Sequence, residues 1–191
     1  MMQNLADTQT VTCIIERARQ GDTEAYGELY ECHRLGIFRY LYYRTGDTQV
    51  ADDLTSEVFL RMIQALPGFE QREVGFQAWL FQIAQNILND HYRKMSVRND
   101  VQLEDTILDN HQTLARSRPV ERTLNSVTLN QAINRLSGEQ RDVIVLRFIS
   151  GMPISQVAQT LNKSEDAVKG LQRRALMTLR EVLSDWEIHY A

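Results

Sequence analysis

Residues 153–180 read Pro153-Ile-Ser-Gln-Val-Ala-Gln-Thr-Leu-Asn-Lys-Ser-Glu-Asp-Ala-Val-Lys-Gly-Leu-Gln-Arg-Arg-Ala-Leu-Met-Thr-Leu-Arg180. Two helical patterns meet here at a tight turn. Ile154, Val157, Ala158 and Leu161 recur at the three- and four-residue steps of one buried helix face, and so do Ala167, Val168, Leu171, Ala175, Leu176 and Leu179. Between them, Asn162 suits the left-handed conformation that ends a helix, and Ser164 suits the cap of the next. A turn of this length sets two helices at a steep angle, which is a helix-turn-helix. Lys169, Gln172, Arg173 and Arg174 lie off the apolar stripe of the second helix, where they can reach a DNA major groove.

The chain has 191 residues, 43% of them hydrophobic, enough for one core or two small ones. Its net charge of -4 does not favour unaided DNA binding, because affinity grows with the number of phosphates neutralised. The charge is unevenly placed. Residues 1–75 hold 7 Lys/Arg against 12 Asp/Glu, whereas residues 76–98 hold 3 against 1. A partner that carries most of the grip would reconcile an acidic front with a DNA-reading back. Met1 to Val11 does not read as a signal peptide, and no apolar run approaches the ~18 residues of a membrane span. A soluble cytoplasmic protein without membrane insertion is expected. Cys13 and Cys32 lack metal-ligand spacing and read as buried or half-buried free thiols.

The rest of the chain is also helical in pattern. Val11–Arg19 is a short amphipathic helix. Asp22 caps a second that closes before Gly46, and Asp47 or Thr48 opens a third that ends at Pro67-Gly68. Phe69–Gly75 reads as a polar loop, and Phe76–Met95 as a fourth helix. The pattern fails over 96–122, which reads as a flexible linker, and resumes near Thr123. Ser137 and Gln140 form a capping box for a helix that carries the apolar residues Val143, Ile144, Leu146 and Phe148 and stops at Gly151. The expected fold is all-α, with two small helical domains at 11–95 and 123–184.

The front domain narrows the function. Asp52-Asp53-Leu54-Thr55-Ser56-Glu57-Val58-Phe59-Leu60, followed by Phe76-Gln77-Ala78-Trp79-Leu80-Phe81-Gln82-Ile83-Ala84-Gln85-Asn86, resembles region 2 of bacterial sigma-70 family factors of the small extracytoplasmic-function (ECF) type. Leu136-Ser137-x-x-Gln140-Arg141-x-Val143 and the helices after it are similar to region 4. The resemblance implies a sigma factor that directs core RNA polymerase to promoter DNA and helps to open it, with an anti-sigma factor as a further partner. It implies polymerase docking at Asp53, Glu57 and Phe59. It implies minus-ten contacts at Trp79, Asn86, Arg93 and Lys94, within a cluster that includes Asn89, His91 and Tyr92. Minus-thirty-five contacts fall to Lys169 and Arg174, with Ser164, Gln172 and Arg173 beside them.

Chemistry agrees with these roles. Asp53 and Glu57 are four apart and share a helix face suited to a basic partner. An amide such as Asn86 can read a base edge, aromatics can stack on bases, and Arg93 or Lys94 can hold phosphate. His33, His91, His111 and His189 are scattered, with no nucleophile, metal-ligand or phosphate-loop motif around them, so neither an enzyme nor a metal or cofactor is expected. The competing reading is an autonomous helix-turn-helix regulator acting as a dimer.

Overall fold

A computed structural model describes the backbone over residues 2–70, 75–102 and 124–190, and side chains over 11–70, 75–96 and 129–184. Among the described residues the fold is all-α. The helices are α1 (Met2–Arg19), α2 (Thr23–Thr45), α3 (Thr48–Ala65), α4 (Phe76–Gln102), α5 (Leu124–Asn134), α6 (Gly138–Ile144), α7 (Ile154–Leu161) and α8 (Glu165–Tyr190). A single 3-10 turn, Leu66–Gly68, follows α3, and a π-helical turn, Val145–Ile149, follows α6.

The helix ends obey local chemistry. The Asp22 carboxylate accepts from the backbone N–H of Glu24 and Ala25 at the start of α2, and Asp47 accepts from Gln49 and Val50 at the start of α3. Gly46 ends α2 at φ 72°, a left-handed conformation that costs glycine little. Ser137 and Gln140 form the expected reciprocal capping box.

Helix α2 is the hub. Ala25, Leu29, Ile37, Tyr40 and Leu41 are buried on it, against α1, α3 and α4 on one side and against α5, α6 and the π turn on the other. The two helical domains therefore pack against each other. One apolar cluster runs from Ile14 and Leu29 through Leu80 and Phe81 to Val145, Leu146, Val157 and Val168. Helix α7 packs along α4.

Several expectations need correction. Helix α1 begins at Met2 rather than Val11, and α4 continues to Gln102, so 96–102 is helix; the remainder of the expected linker, 103–122, lies outside the described residues. Cys13 and Cys32 are exposed, because Ile14, Ile15, Ala18, Ala25 and Leu29 define the buried stripes and the thiols fall off them. Phe148 is 53% exposed rather than core. The π turn explains it. With Ser150 N–H bonded to Val145 C=O, a turn takes one extra residue, and Ile149 rather than Phe148 packs against the core. Leu176 is likewise at the surface.

His33 supplies a pH test. Its ring lies 5.2 Å from Phe76, its Nε2 is buried without a partner, and burial pushes its pKa down from 6.5 to about 4. The unfolded chain therefore binds the extra proton first as pH falls. Stability owed to neutral His33 is intact above pH 6.5 and declines between 6.5 and 4. Below 4 it declines no further, and the total loss is no more than about 3 kcal/mol. The unfolding free energy of wild type relative to His33→Leu should fall by that order between pH 7 and pH 4 in denaturant titrations. A difference constant with pH would refute it.

Candidate nucleic-acid interface

Helix α4 carries the first set of expected contacts. Trp79, Asn86 and Arg93 are spaced by seven residues, close to two turns, so they form one line along the helix. Asn86 and Arg93 are exposed, as is Lys94 about a quarter-turn away. Arg93 bonds Asp90 at 3.0 Å, an exposed pair that a phosphate can replace. Trp79 is half-buried. Its ring lies tilted against Phe69 at 4.6 Å and Phe76 at 5.6 Å, and those two rings meet edge-on. Phe69 is thus core, not part of a polar loop, and Glu70 beside it is exposed; 71–74 lie outside the described residues.

Tyr92 does not join this line. Its hydroxyl donates to the Arg44 carbonyl, and its ring lies under the Arg44 guanidinium. The structure therefore splits the expected cluster: Trp79, Asn86 and Arg93 share a face, while Tyr92 serves the packing of α4 on α2.

Helix α8 carries the second set. Asn162 adopts φ 51°, ψ 49°, and the N–H of Lys163 donates to the Ala158 carbonyl, closing α7 with a tight turn. Ser164 Oγ accepts from the Ala167 N–H at 3.2 Å, so Ser164 caps α8. Val168, Leu171, Ala175 and Leu179 are buried. This leaves Lys169 and Arg173 on one exposed row and Arg174 on the other flank, over Gly170. Lys169 bonds Asp166 at 3.2 Å, and Lys163 bonds Glu139 at 2.8 Å. Lys163, with Arg174 further off, holds the Glu139 carboxyl below its usual range. Gln172 is half-buried, with its Oε1 buried and unpartnered, so it faces the core edge more than the groove side.

The α3 face is the third set. Asp53 is exposed and accepts from Gln49, whereas Glu57 is bound at 2.6 Å by Arg61, which also reaches Asp90 of α4. Phe59 is not a surface anchor. It is buried, with its ring 4.7 Å from Tyr30, because its position on α3 turns it to the core side with Val58 and Met62. Leu60, 61% exposed, shares the Asp53–Glu57 face and was missed. Its i+3 and i+7 spacing from those acids was the available signal.

A polar node, also missed from sequence, joins the halves. Tyr40 Oη donates to Asp142 Oδ1 at 3.1 Å, and Arg44 Nε lies 3.2 Å from the same oxygen without pointing along the contact. Burial raises the Asp142 pKa, against the opposing pull of Arg44, the Tyr40 bond and Arg141.

Sigma-70 region 2 matches residues 29–97, and Sigma-70, region 4 matches residues 132–181. The ECF RNA polymerase sigma factor BldN of Streptomyces coelicolor is 34% identical over 180 residues, covering 94% of this chain and 68% of that protein. The chain belongs to the ECF RNA polymerase sigma factor family. SigX of Bacillus subtilis, another ECF sigma factor, is 29% identical, with 83% of each chain covered. Among solved structures, CnrH in complex with the cytosolic domain of CnrY is similar at a TM-score of 0.68 and 28% identity, covering 91% of this sigma factor and 96% of CnrH. The sigma factor RpoE, solved with the anti-sigma factor NepR from Bartonella quintana, shares the fold at a TM-score of 0.69 and 22% identity, covering 85% of this chain and 98% of RpoE.

The turn that aims α8 is open to test. At Asn162 a Cβ-bearing residue without a local side-chain acceptor is disfavoured. Asn162→Ala should cost ~1 kcal/mol and lower the melting temperature by roughly 2–4 °C, whereas Asn162→Gly should be neutral or stabilising. Equal losses for both variants in thermal unfolding would contradict this account.

Proposed function

We propose that this sigma factor directs core RNA polymerase to promoters and assists opening of the DNA. One arrangement carries the reading: a single chain presents Trp79, Asn86 and Arg93 along α4 and, on a different helix, Lys169, Arg173 and Arg174. The first set suits an unstacked strand, with Asn86 reading a base edge, Trp79 offering a ring edge and Arg93 and Lys94 holding phosphate. The second suits duplex, with Lys169 and Arg174 reaching guanine or phosphate and Arg173 central on the exposed face. Ser164 contributes by fixing the start of α8, and Gln172 only from the groove edge. Asp53 and Glu57, flanked by Leu60 and supported from beneath by Phe59, form the polymerase-docking face.

On this reading residues 11–95 dock polymerase and take the minus-ten element, 96–122 link, and 123–184 hold the minus-thirty-five element. The protein is cytoplasmic and catalyses no bond chemistry of its own. Among the described residues no helix is long and apolar enough to cross a membrane, and no cluster of three or more metal-ligating side chains occurs. An anti-sigma factor is a further expected partner; CnrH was solved bound to the cytosolic domain of a second protein. Family membership does not favour the autonomous dimeric regulator.

Run-off transcription with purified core polymerase tests the scheme. Asn86→Ala should reduce open-complex formation by about tenfold while sparing polymerase binding. Lys169→Ala and Arg174→Ala should weaken upstream duplex contact by ~1–3 kcal/mol. Asp53→Ala with Glu57→Ala should weaken polymerase affinity itself. Unchanged polymerase affinity in that double variant rejects the docking face, and no promoter-dependent transcript from wild type rejects the function.

A further inference from the structure

A carboxylate interrupts the strand-reading face. Asp90 lies four residues after Asn86 and three before Arg93 on α4, so it falls within the Trp79–Asn86–Arg93 line rather than behind it. In that place it repels the phosphates that Arg93 and Lys94 are suited to hold, unless a cation takes up its charge. Two cations reach it. From the same helix, Arg93 Nη2 donates to Asp90 Oδ1 at 3.0 Å. From α3, Arg61 Nη1 lies 3.8 Å from Asp90 Oδ2.

The two cations are not equivalent. N–H groups of Arg93 that point at Asp90 are withheld from phosphate, whereas Arg61 comes from the neighbouring helix and can neutralise Asp90 without that cost. As the chain stands, Arg61 is committed elsewhere. Its Nη2 donates to Glu57 Oε1 at 2.6 Å, a charge-assisted bond, while its approach to Asp90 is longer than a hydrogen bond. Glu57, Arg61, Asp90 and Arg93 therefore alternate in sign along one chain of contacts. It begins on the α3 docking face and ends on the α4 strand-reading face. All four side chains are at least 36% exposed, so each contact can be exchanged for one to a partner.

We infer that Arg61 is a positioning residue that couples docking to strand capture: a basic polymerase side chain that takes Glu57 turns Arg61 to Asp90, and Asp90 then releases Arg93 to phosphate. This coupling rests on the docking and strand-reading faces proposed above. Glu57 is the group that a basic partner meets, so the Glu57–Arg61 bond is the first to weaken. Arg61 Nη1 already lies on the Asp90 side and needs to close by only about 1 Å to donate. The coupling is reciprocal: a strand phosphate that draws Arg93 away leaves Asp90 to Arg61 and frees Glu57 for polymerase. Exposed ion pairs are weak, so the effect at either face is about two- to fivefold.

The full chain without polymerase tests it, with a fluorescent single-stranded oligodeoxynucleotide of random sequence as the probe, which reads phosphate contact apart from base choice. Glu57→Gln stands in for docking. It should tighten binding about two- to fivefold and steepen the fall of log K with log salt by about 0.7, the increment of one further phosphate contact on a single strand. In an Arg61→Gln background Glu57→Gln should leave the salt slope unchanged. Asp90→Asn should reproduce the steeper slope, and adding Arg93→Gln should erase it. A gain from Glu57→Gln that is equal with and without Arg61, at constant slope, is mere loss of a negative charge and overturns the coupling. So does a gain from Asp90→Asn that survives Arg93→Gln. Core polymerase gives a second reading, since Arg61→Gln leaves Glu57 unpaired and should bind about two- to fivefold tighter; unchanged affinity overturns the competition for Glu57. The Asp53→Ala, Glu57→Ala chain reads the docking face by itself, and wild-type run-off transcription reads the sigma function, so failure of either is distinguished from failure of the coupling.

Discussion

A carboxylate held away from water governs the architecture. Asp142 is 7% exposed, and it is tolerable there only because Tyr40 and Arg44 come to it from α2. That requirement fixes the azimuth of α2, which must present Ala25 and Leu29 to α1 and Tyr40 and Arg44 to α6. It also draws α6, and through it α7, onto the front half. The apolar cluster supplies most of the burial free energy, but apolar surfaces tolerate sliding. The polar node does not, and so it sets the register.

Around this node helices α4 and α8 are positioned by opposite means. Helix α4 is held by burial: Phe76, Leu80, Phe81, Ile87 and Leu88 anchor one side, leaving the Trp79–Asn86–Arg93 line on the other. Helix α8 is aimed by its turn, through Asn162 and the Ser164 cap, with Val168 and Leu171 reaching the main core and Ala175 and Leu179 a smaller cluster with Leu136 and Ile144.

Much of this was legible in the residues. Asp22, Gly46, Asp47, the Ser137–Gln140 box, Asn162 and Ser164 punctuate helices through local hydrogen bonds, and local chemistry survives any tertiary context. The front and back motifs carry the family resemblance in the residues alone. What stayed hidden depended on long-range contact or on an interrupted period. Phe59 sits among acids in sequence yet faces Tyr30, since which side of α3 is buried is decided by α2. Tyr92 follows His91 in an aromatic run yet serves Arg44, forty-eight positions earlier. Asp142 looks like an ordinary exposed acid after Arg141, and only the packing of α6 on α2 makes it interior. Phe148 failed because a regular 3.6-residue count was carried through a segment that winds more widely.

That wider winding has a consequence for how the back half can vary. A π turn holds one residue more than an α turn of the same height, so Val145–Ile149 is a phase adjuster between α6 and everything downstream. Each residue of an α-helix advances the side-chain direction by about 100°. Loss of the surplus residue would let the segment relax to regular winding and would rotate α7 and α8 by about that angle around the α6 axis, carrying Lys169 and Arg173 off their bearing with no change to either side chain. The direction in which α8 presents its exposed cations is therefore written partly in the length of a segment that precedes it in the chain.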